Sequence, residues 1–225
     1  MLTVLLAAAC HATWNALMKS STEPVVQMML INVVGGVVGL LMVVVVGLPE
    51  PASWPFLFSS MIVHQAYYAA LILGYRYGDL SDVYPIARGI APLLVAAGAF
   101  MYAGETLRVG EMAAVALICS GIVSLGLTRQ WSAASKRALI FALLTGISIA
   151  LYTVIDGLGV RRAGNAAAYI GLLFALESVP ITLFVLATRY GEVRTSIMHT
   201  WRTGLVGGVL AVSAYGIVIW AMNTS

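Results

Sequence analysis

Apolar residues run along the chain in eight long stretches, at roughly 2–18, 25–47, 56–75, 83–103, 110–128, 138–157, 167–188 and 203–222, separated by short polar segments. A run of about 17–25 apolar residues is the length that crosses the hydrocarbon of a bilayer as an α-helix. The connections between the stretches are too short to hold a soluble domain. The pattern therefore predicts an all-α, polytopic membrane helix bundle of eight transmembrane helices. Whatever chemistry the chain performs must then sit within the bilayer.

A second periodicity lies over the first. The segment 9–21, ACHATWNALMKSS, aligns with 146–158, GISIALYTVIDGL, placing Trp14 on Leu151, Asn15 on Tyr152 and Lys19 on Asp156. Further on, 66–78 (AYYAALILGYRYG) aligns with 213–225 (SAYGIVIWAMNTS), bringing Tyr68 onto Tyr215. The matches occur in the same order and with comparable spacing, as an internal repeat requires. The first repeat spans 1–128 with five helices, 129–137 links the two, and the second repeat spans 138–225 with three. An odd number of helices per repeat forces the second to enter the membrane from the opposite face. Such inverted repeats place substrate sites near the midplane, where they meet. Nothing in the second repeat corresponds to 79–128. Truncation of the gene is the expected cause, in preference to a loss of two helices covered by a partner.

Composition narrows the class further. Hydrophobic residues make up 61% of the 225 and charged residues 9%, too few to coat a soluble domain of this size. The formal net charge of +3 is scattered and gives no basis for nucleic-acid binding. The first stretch lacks a basic lead-in and a small-residue cleavage site, so it reads as a helix and not as a cleaved signal. Cys10 and Cys119 lie inside stretches without metal-ligand spacing and read as small buried residues. Between the stretches, Lys and Arg favour the odd-numbered loops, eight against three, which places both termini outside the cytoplasm.

Polar side chains in hydrocarbon are costly and mark candidate sites. His11, Trp14, Asn15 and Met18 recur at helical spacing on one face of the first helix. That face could hydrogen-bond and stack on a substrate, or could bond across to a neighbouring helix. His64 and Tyr68 form a similar stripe in the third helix, either lining a cavity or packing, whereas Tyr75 and Tyr77 read as an interfacial belt. Tyr152 and Tyr215 hold the matching places in the second repeat, and Trp220 reads as a gate or as core. Arg88 stands one turn before Pro92, which cannot donate to the Arg88 carbonyl. It offers a fixed cation in a bent helix, able to hold a carboxylate or phosphate, to snorkel, or to pair with an acid. Glu177 is the acid nearest the middle of a stretch, with Pro180 close by to kink its helix. It is the candidate for proton coupling, or else a neutral group bonded to a neighbour. Asp156 lies near a helix end beside Arg161 and Arg162 and reads as a solvated ion pair. Gly35, Gly36 and Gly39, and Gly204, Gly207 and Gly208, are spaced for close helix packing. No nucleotide-binding motif, metal cluster or hydrolytic triad is present in the sequence, so no cofactor or metal is expected.

Residues 83–127 carry Pro92 in the fourth helix, Gly104-Glu105 at its end, and the Gly-rich CSGIVSLG of the fifth. Together with HATWNALMK near the start, they resemble the EamA-type transporters of the drug/metabolite transporter superfamily. The resemblance implies ten helices in two inverted five-helix repeats, with the last two missing here. It also implies both termini in the cytoplasm, against the charge count. The activity implied is export or exchange of a small metabolite. A secondary transporter working by alternating access on an amino acid or organic acid is therefore the leading expectation. Its partners would be a small-molecule substrate bearing an acidic group, the lipid bilayer and a second copy of the chain. The expected location is the plasma membrane, as the inner membrane of a bacterium. An intramembrane enzyme acting on a lipid or lipid-linked substrate, and a non-transporting membrane scaffold, are the alternatives.

Overall fold

The computed structural model describes residues 2–103, 108–127 and 133–224, and every element in them is helical. In chain order these are α1 (Leu2–Lys19), α2 (Pro24–Val46), α3 (Trp54–Tyr77), α4 (Leu80–Ala103), α5 (Val109–Leu127), α6 (Ala133–Val160) and α7 (Ala166–Thr224), with a 3-10 turn at Pro51–Ser53. Arg189, at φ −134° and ψ 24°, breaks α7 into two arms, 166–188 (α7a) and 190–224 (α7b). All eight apolar stretches fall on these helices. Among the described residues, Pro24–Val46, Pro51–Tyr77, Ala134–Val160 and Ala166–Gly191 are long and apolar enough to cross a membrane. The chain is a membrane protein on that ground, and the exposed Val37, Leu41, Val44 and Val45 of α2 form an apolar face suited to acyl chains.

Local chemistry explains the helix ends. Pro24 opens α2 at a position whose N–H has no partner in the helix. Gly47 closes it at φ 84°, its N–H donating to the Val43 carbonyl at 2.9 Å. Asn165 opens α7a by accepting from the backbone N–H groups of Ala167 and Ala168 at 2.9 and 3.3 Å. Before it, Gly164 takes φ 70°, a conformation that side chains with a Cβ rarely adopt. Hydroxyls inside the helices bond to the carbonyl one turn back, as Thr145, Thr153 and Thr182 do, which satisfies them without water.

Two expectations change here. The break in α7 comes at Arg189 and not at Pro180, through which the helix runs on. A proline frees only one carbonyl, here that of Leu176, and a helix within a span can run on past one missing bond. Helix α4 likewise stays continuous through Pro85 and Pro92. Residues 133–137 of the expected linker belong to α6, and the Ala-Ala-Ser-Lys-Arg run there suits a helix. Residues 129–132 of the linker, the Gly104-Glu105 pair and the side chain of Trp220 lie outside the described residues.

The chain divides into two compact units, residues 1–65 with 155–225 and residues 66–154. In the first, both arms of α7 close on α2 through glycines. Gly39 meets Gly171 and Ala175, and Gly36 meets Ser178, so α7a runs antiparallel to α2. Gly204 meets Leu30 and Gly208 meets Val34, so α7b runs parallel to it. These glycines do the helix packing expected of them. The first unit also contains α1, which packs on α7. In the second unit α4 packs on α5, and Gly146 of α6 faces Ala87 and Ile90 of α4. A Cβ at Gly146 would stand 2.9 Å from the Ala87 carbonyl.

Candidate functional site

The first unit carries a buried polar cluster centred on Asp156, near the end of α6. Asp156 is fully enclosed, at 0% exposure. The Tyr169 hydroxyl of α7a donates to its Oδ1 at 2.8 Å, and the Tyr215 hydroxyl of α7b donates to its Oδ2. The Ser60 hydroxyl of α3 lies near this carboxyl. The solvated ion pair with Arg161 and Arg162 is therefore not what forms. Arg162 donates to its own helix at the Leu158 carbonyl, 3.0 Å away, and lies over the Phe56 ring at 4.8 Å. Among the described residues no cation pairs with Asp156.

Tyr215, which also meets the His64 ring, links Asp156 to a second pair. His64, one turn along α3, has Nδ1 3.2 Å from Ser60 Oγ, 3.0 Å from the Ser60 carbonyl and 3.1 Å from Glu177 Oε1 of α7a. Both His64 and Glu177 are 4% exposed. The Tyr215 ring is held between the edge-on His64 ring at 5.6 Å and Phe174 at 5.8 Å. His64, Tyr215 and Glu177, all singled out by sequence, are thus brought together. Asp156, Tyr169 and Ser60 complete the cluster; the sequence placed Asp156 in an ion pair and did not single out Tyr169 or Ser60. A usable signal was present in Gly159, one turn after Asp156.

At Gly159 the Tyr169 ring lies directly on the α6 backbone, and a Cβ there would stand 2.6 Å from its Cε2. Gly159 thereby sets the reach of the Tyr169 hydroxyl to Asp156. Tyr169 is fully buried. Gly159→Ala is expected to lower stability by about 1–3 kcal/mol through overpacking, which thermal unfolding of the purified protein in detergent will measure.

The α1 stripe is buried, with His11, Trp14, Asn15 and Met18 all enclosed. Its polar groups already serve one another: Trp14 Nε1 donates to His11 Nδ1 at 3.0 Å and Asn15 Nδ2 to the His11 carbonyl at 2.8 Å.

The second unit holds the other group of candidates. Arg88 is half-buried on α4, its guanidinium hydrogen-bonded to Tyr84 and 5.9 Å from that ring, with Tyr67 and Tyr152 near it. Tyr67 leans on Tyr68 at 5.4 Å and meets Tyr152 edge-on at 5.7 Å. Arg88, Tyr68 and Tyr152 thus belong to one aromatic group, with Tyr67 as a member the sequence did not single out. Tyr75 is buried, and Tyr77 stacks on Phe141 at 5.8 Å under Arg137. No carboxylate pairs with Arg88 among the described residues. A small cavity in this unit, about 60 Å³ and lined by Tyr77, Ser81, Asp82 and Ser135, does not include it.

No family model matches the chain, and no curated protein or solved structure matches it.

Proposed function

We propose that the chain is a secondary transporter that exports or exchanges a small metabolite bearing an acidic group, such as an amino acid or organic acid. The observation that carries this reading is Arg88, a half-buried cation on an apolar helix, near three tyrosines and unpaired with any carboxylate among the described residues. A guanidinium in such surroundings suits a carboxylate or phosphate, which it can hold with two parallel hydrogen bonds. In this reading the membrane is the bacterial inner membrane, crossed eight times, and the repeats are inverted and rock against each other. Gly36 and Ser178, mid-positions of the second and seventh apolar stretches, face each other between antiparallel helices. Repeats related by a two-fold axis in the membrane plane would place them so. The resemblance to EamA-type transporters agrees with this reading and remains part of the proposal.

One observation favours an intramembrane enzyme as a second reading. Ser60, His64 and Glu177 combine a hydroxyl, an imidazole and a carboxyl within hydrogen-bonding distance. Nucleophilic catalysis by such a set needs the acid on one ring nitrogen and the hydroxyl on the other. Here Ser60 and Glu177 both address Nδ1, so the imidazole cannot take a proton from one while being oriented by the other. Transport is the better-supported reading.

Purified protein in lipid vesicles tests it with radiolabelled alanine, glutamate, pyruvate and malate. Saturable uptake of at least one, accelerated by the same unlabelled compound trapped inside, is the expected result. Protein-containing vesicles that behave like empty ones with every probe would sink the proposal.

A further inference from the structure

We propose that the first turns of α7b form a binding surface for an anionic phospholipid, with Arg194 and Arg202 taking the phosphate and Met198 and Trp201 resting on the acyl chains. The candidate span Ala166–Gly191 ends where α7b begins, so the residues that follow emerge at a surface of the bilayer. The chain changes character at the same point. From Arg189 to Arg202 it holds three arginines against one glutamate, and the apolar stretch 203–222 starts directly afterwards. A helical segment with basic and aromatic side chains at that level lies among the headgroups.

The helix sorts these residues onto two faces. Val193, Thr200 and Gly204 share the buried one, and Gly204 meets Leu30 of α2. Arg194, Met198 and Arg202 recur every fourth residue on the opposite face, with Trp201 beside them. All four are exposed, Met198 at 72% and Trp201 at 49%. The Arg202 guanidinium lies over the Trp201 ring at 5.2 Å, which holds the cation next to the apolar part of the surface. Arg189, at the break, already faces Glu23 at 3.4 Å. Arg194 and Arg202 pair with no carboxylate among the described residues. Guanidinium is suited to phosphate, which it can hold with two parallel hydrogen bonds. A soluble phosphate would satisfy the two arginines and leave Met198 and Trp201 against water. An anionic phospholipid satisfies both, because its phosphate stands directly above its acyl chains. A zwitterionic lipid carries its own ammonium, which competes with the arginines for that phosphate.

Lipid selection at this surface is independent of the substrate at Arg88, so its test leaves the transporter reading untouched. The full chain is placed in phosphatidylcholine nanodiscs containing a brominated lipid, either phosphatidylglycerol or phosphatidylcholine, and tryptophan quenching is followed. The part of the quenching that Trp201→Phe removes reports on this surface. Brominated phosphatidylglycerol should quench it at a lower mole fraction than brominated phosphatidylcholine, and high salt should reduce the difference. Arg194→Gln and Arg202→Gln should each lower the preference by about fivefold, the factor that ~1 kcal/mol per basic residue at a membrane surface corresponds to. The double variant should treat the two lipids alike. Equal quenching of wild-type protein by both lipids, or a preference that the double variant keeps, overturns the proposal. Inorganic phosphate that removes the preference where chloride at equal ionic strength does not would make the ligand a soluble anion, and overturns it as well. If a variant does not fold, the wild-type comparison of the two lipids and its response to salt and phosphate decide the outcome.

Discussion

Gly39→Ala is expected to unfold the first unit, although it adds one methyl group. The added Cβ would stand 2.9 Å from the Ala175 backbone nitrogen and closer still to the Gly171 carbonyl. Backbone atoms cannot rotate away as a side chain can, so α2 and α7a must separate along the whole contact. Overpacking typically costs about 1–3 kcal/mol, and a clash with backbone on both sides belongs at or beyond the upper end. Loss of the monodisperse peak on size exclusion in detergent, with a large fall in melting temperature, is the expected reading. Gly35→Ala is the matched control four residues away, because its Cβ meets only Val212 at 3.6 Å, an ordinary contact. Gly216→Ala has nothing within 4 Å of the new atom and should hold or raise stability, by up to about 1 kcal/mol, through the better helix propensity of alanine. Equal behaviour of the three variants would remove close packing as the reason for the glycines of α2.

Arg88→Ala is expected to abolish uptake of an acidic substrate while the protein stays folded. Removing one partner of a desolvated, hydrogen-bonded charge pair costs about 2–5 kcal/mol, so affinity for the anion should fall by roughly thirtyfold to several thousandfold. Arg88→Lys keeps the charge but loses the planar fork, and a loss of about tenfold is expected. The two variants should leave the melting temperature close to wild type, since no carboxylate pairs with Arg88 among the described residues. A structural role would do the reverse, lowering the yield of folded protein before any effect on uptake. Wild-type uptake by well-folded Arg88→Ala protein would rule out recognition by this arginine.

The helices and their termini were readable because they depend on nearby residues. Pro24 and Gly47 bound α2, and Asn165 and Gly164 shape the entry to α7, each through a bond or dihedral reaching no more than a turn. The helical spacing of His11, Trp14 and Asn15 correctly placed them on one buried face. The same spacing did not reveal that they would bond to one another. Pro180 was misleading for a related reason. A proline states which hydrogen bond is missing, and one missing bond does not by itself end a helix.

The sequence by itself determined an all-helical membrane chain, because apolar surroundings leave the backbone no partners but its own. It also marked His64, Tyr68, Arg88, Tyr152, Glu177 and Tyr215 as polar groups that such surroundings make costly. Only the tertiary structure decided which of them meet. Asp156 read as the neighbour of Arg161 and Arg162, five and six positions along, yet its hydroxyl partners come from 13 and 59 residues away. Helical periodicity states which side of a helix a residue occupies and nothing about which helix faces that side. Here that pairing is set by where glycines let backbones approach: Gly36 and Gly39 seat α7a on α2, and Gly159 admits the Tyr169 ring beside Asp156. The carboxyl, fully enclosed, then takes the hydroxyls that packing brings to it, because a buried polar group left unbonded is costly.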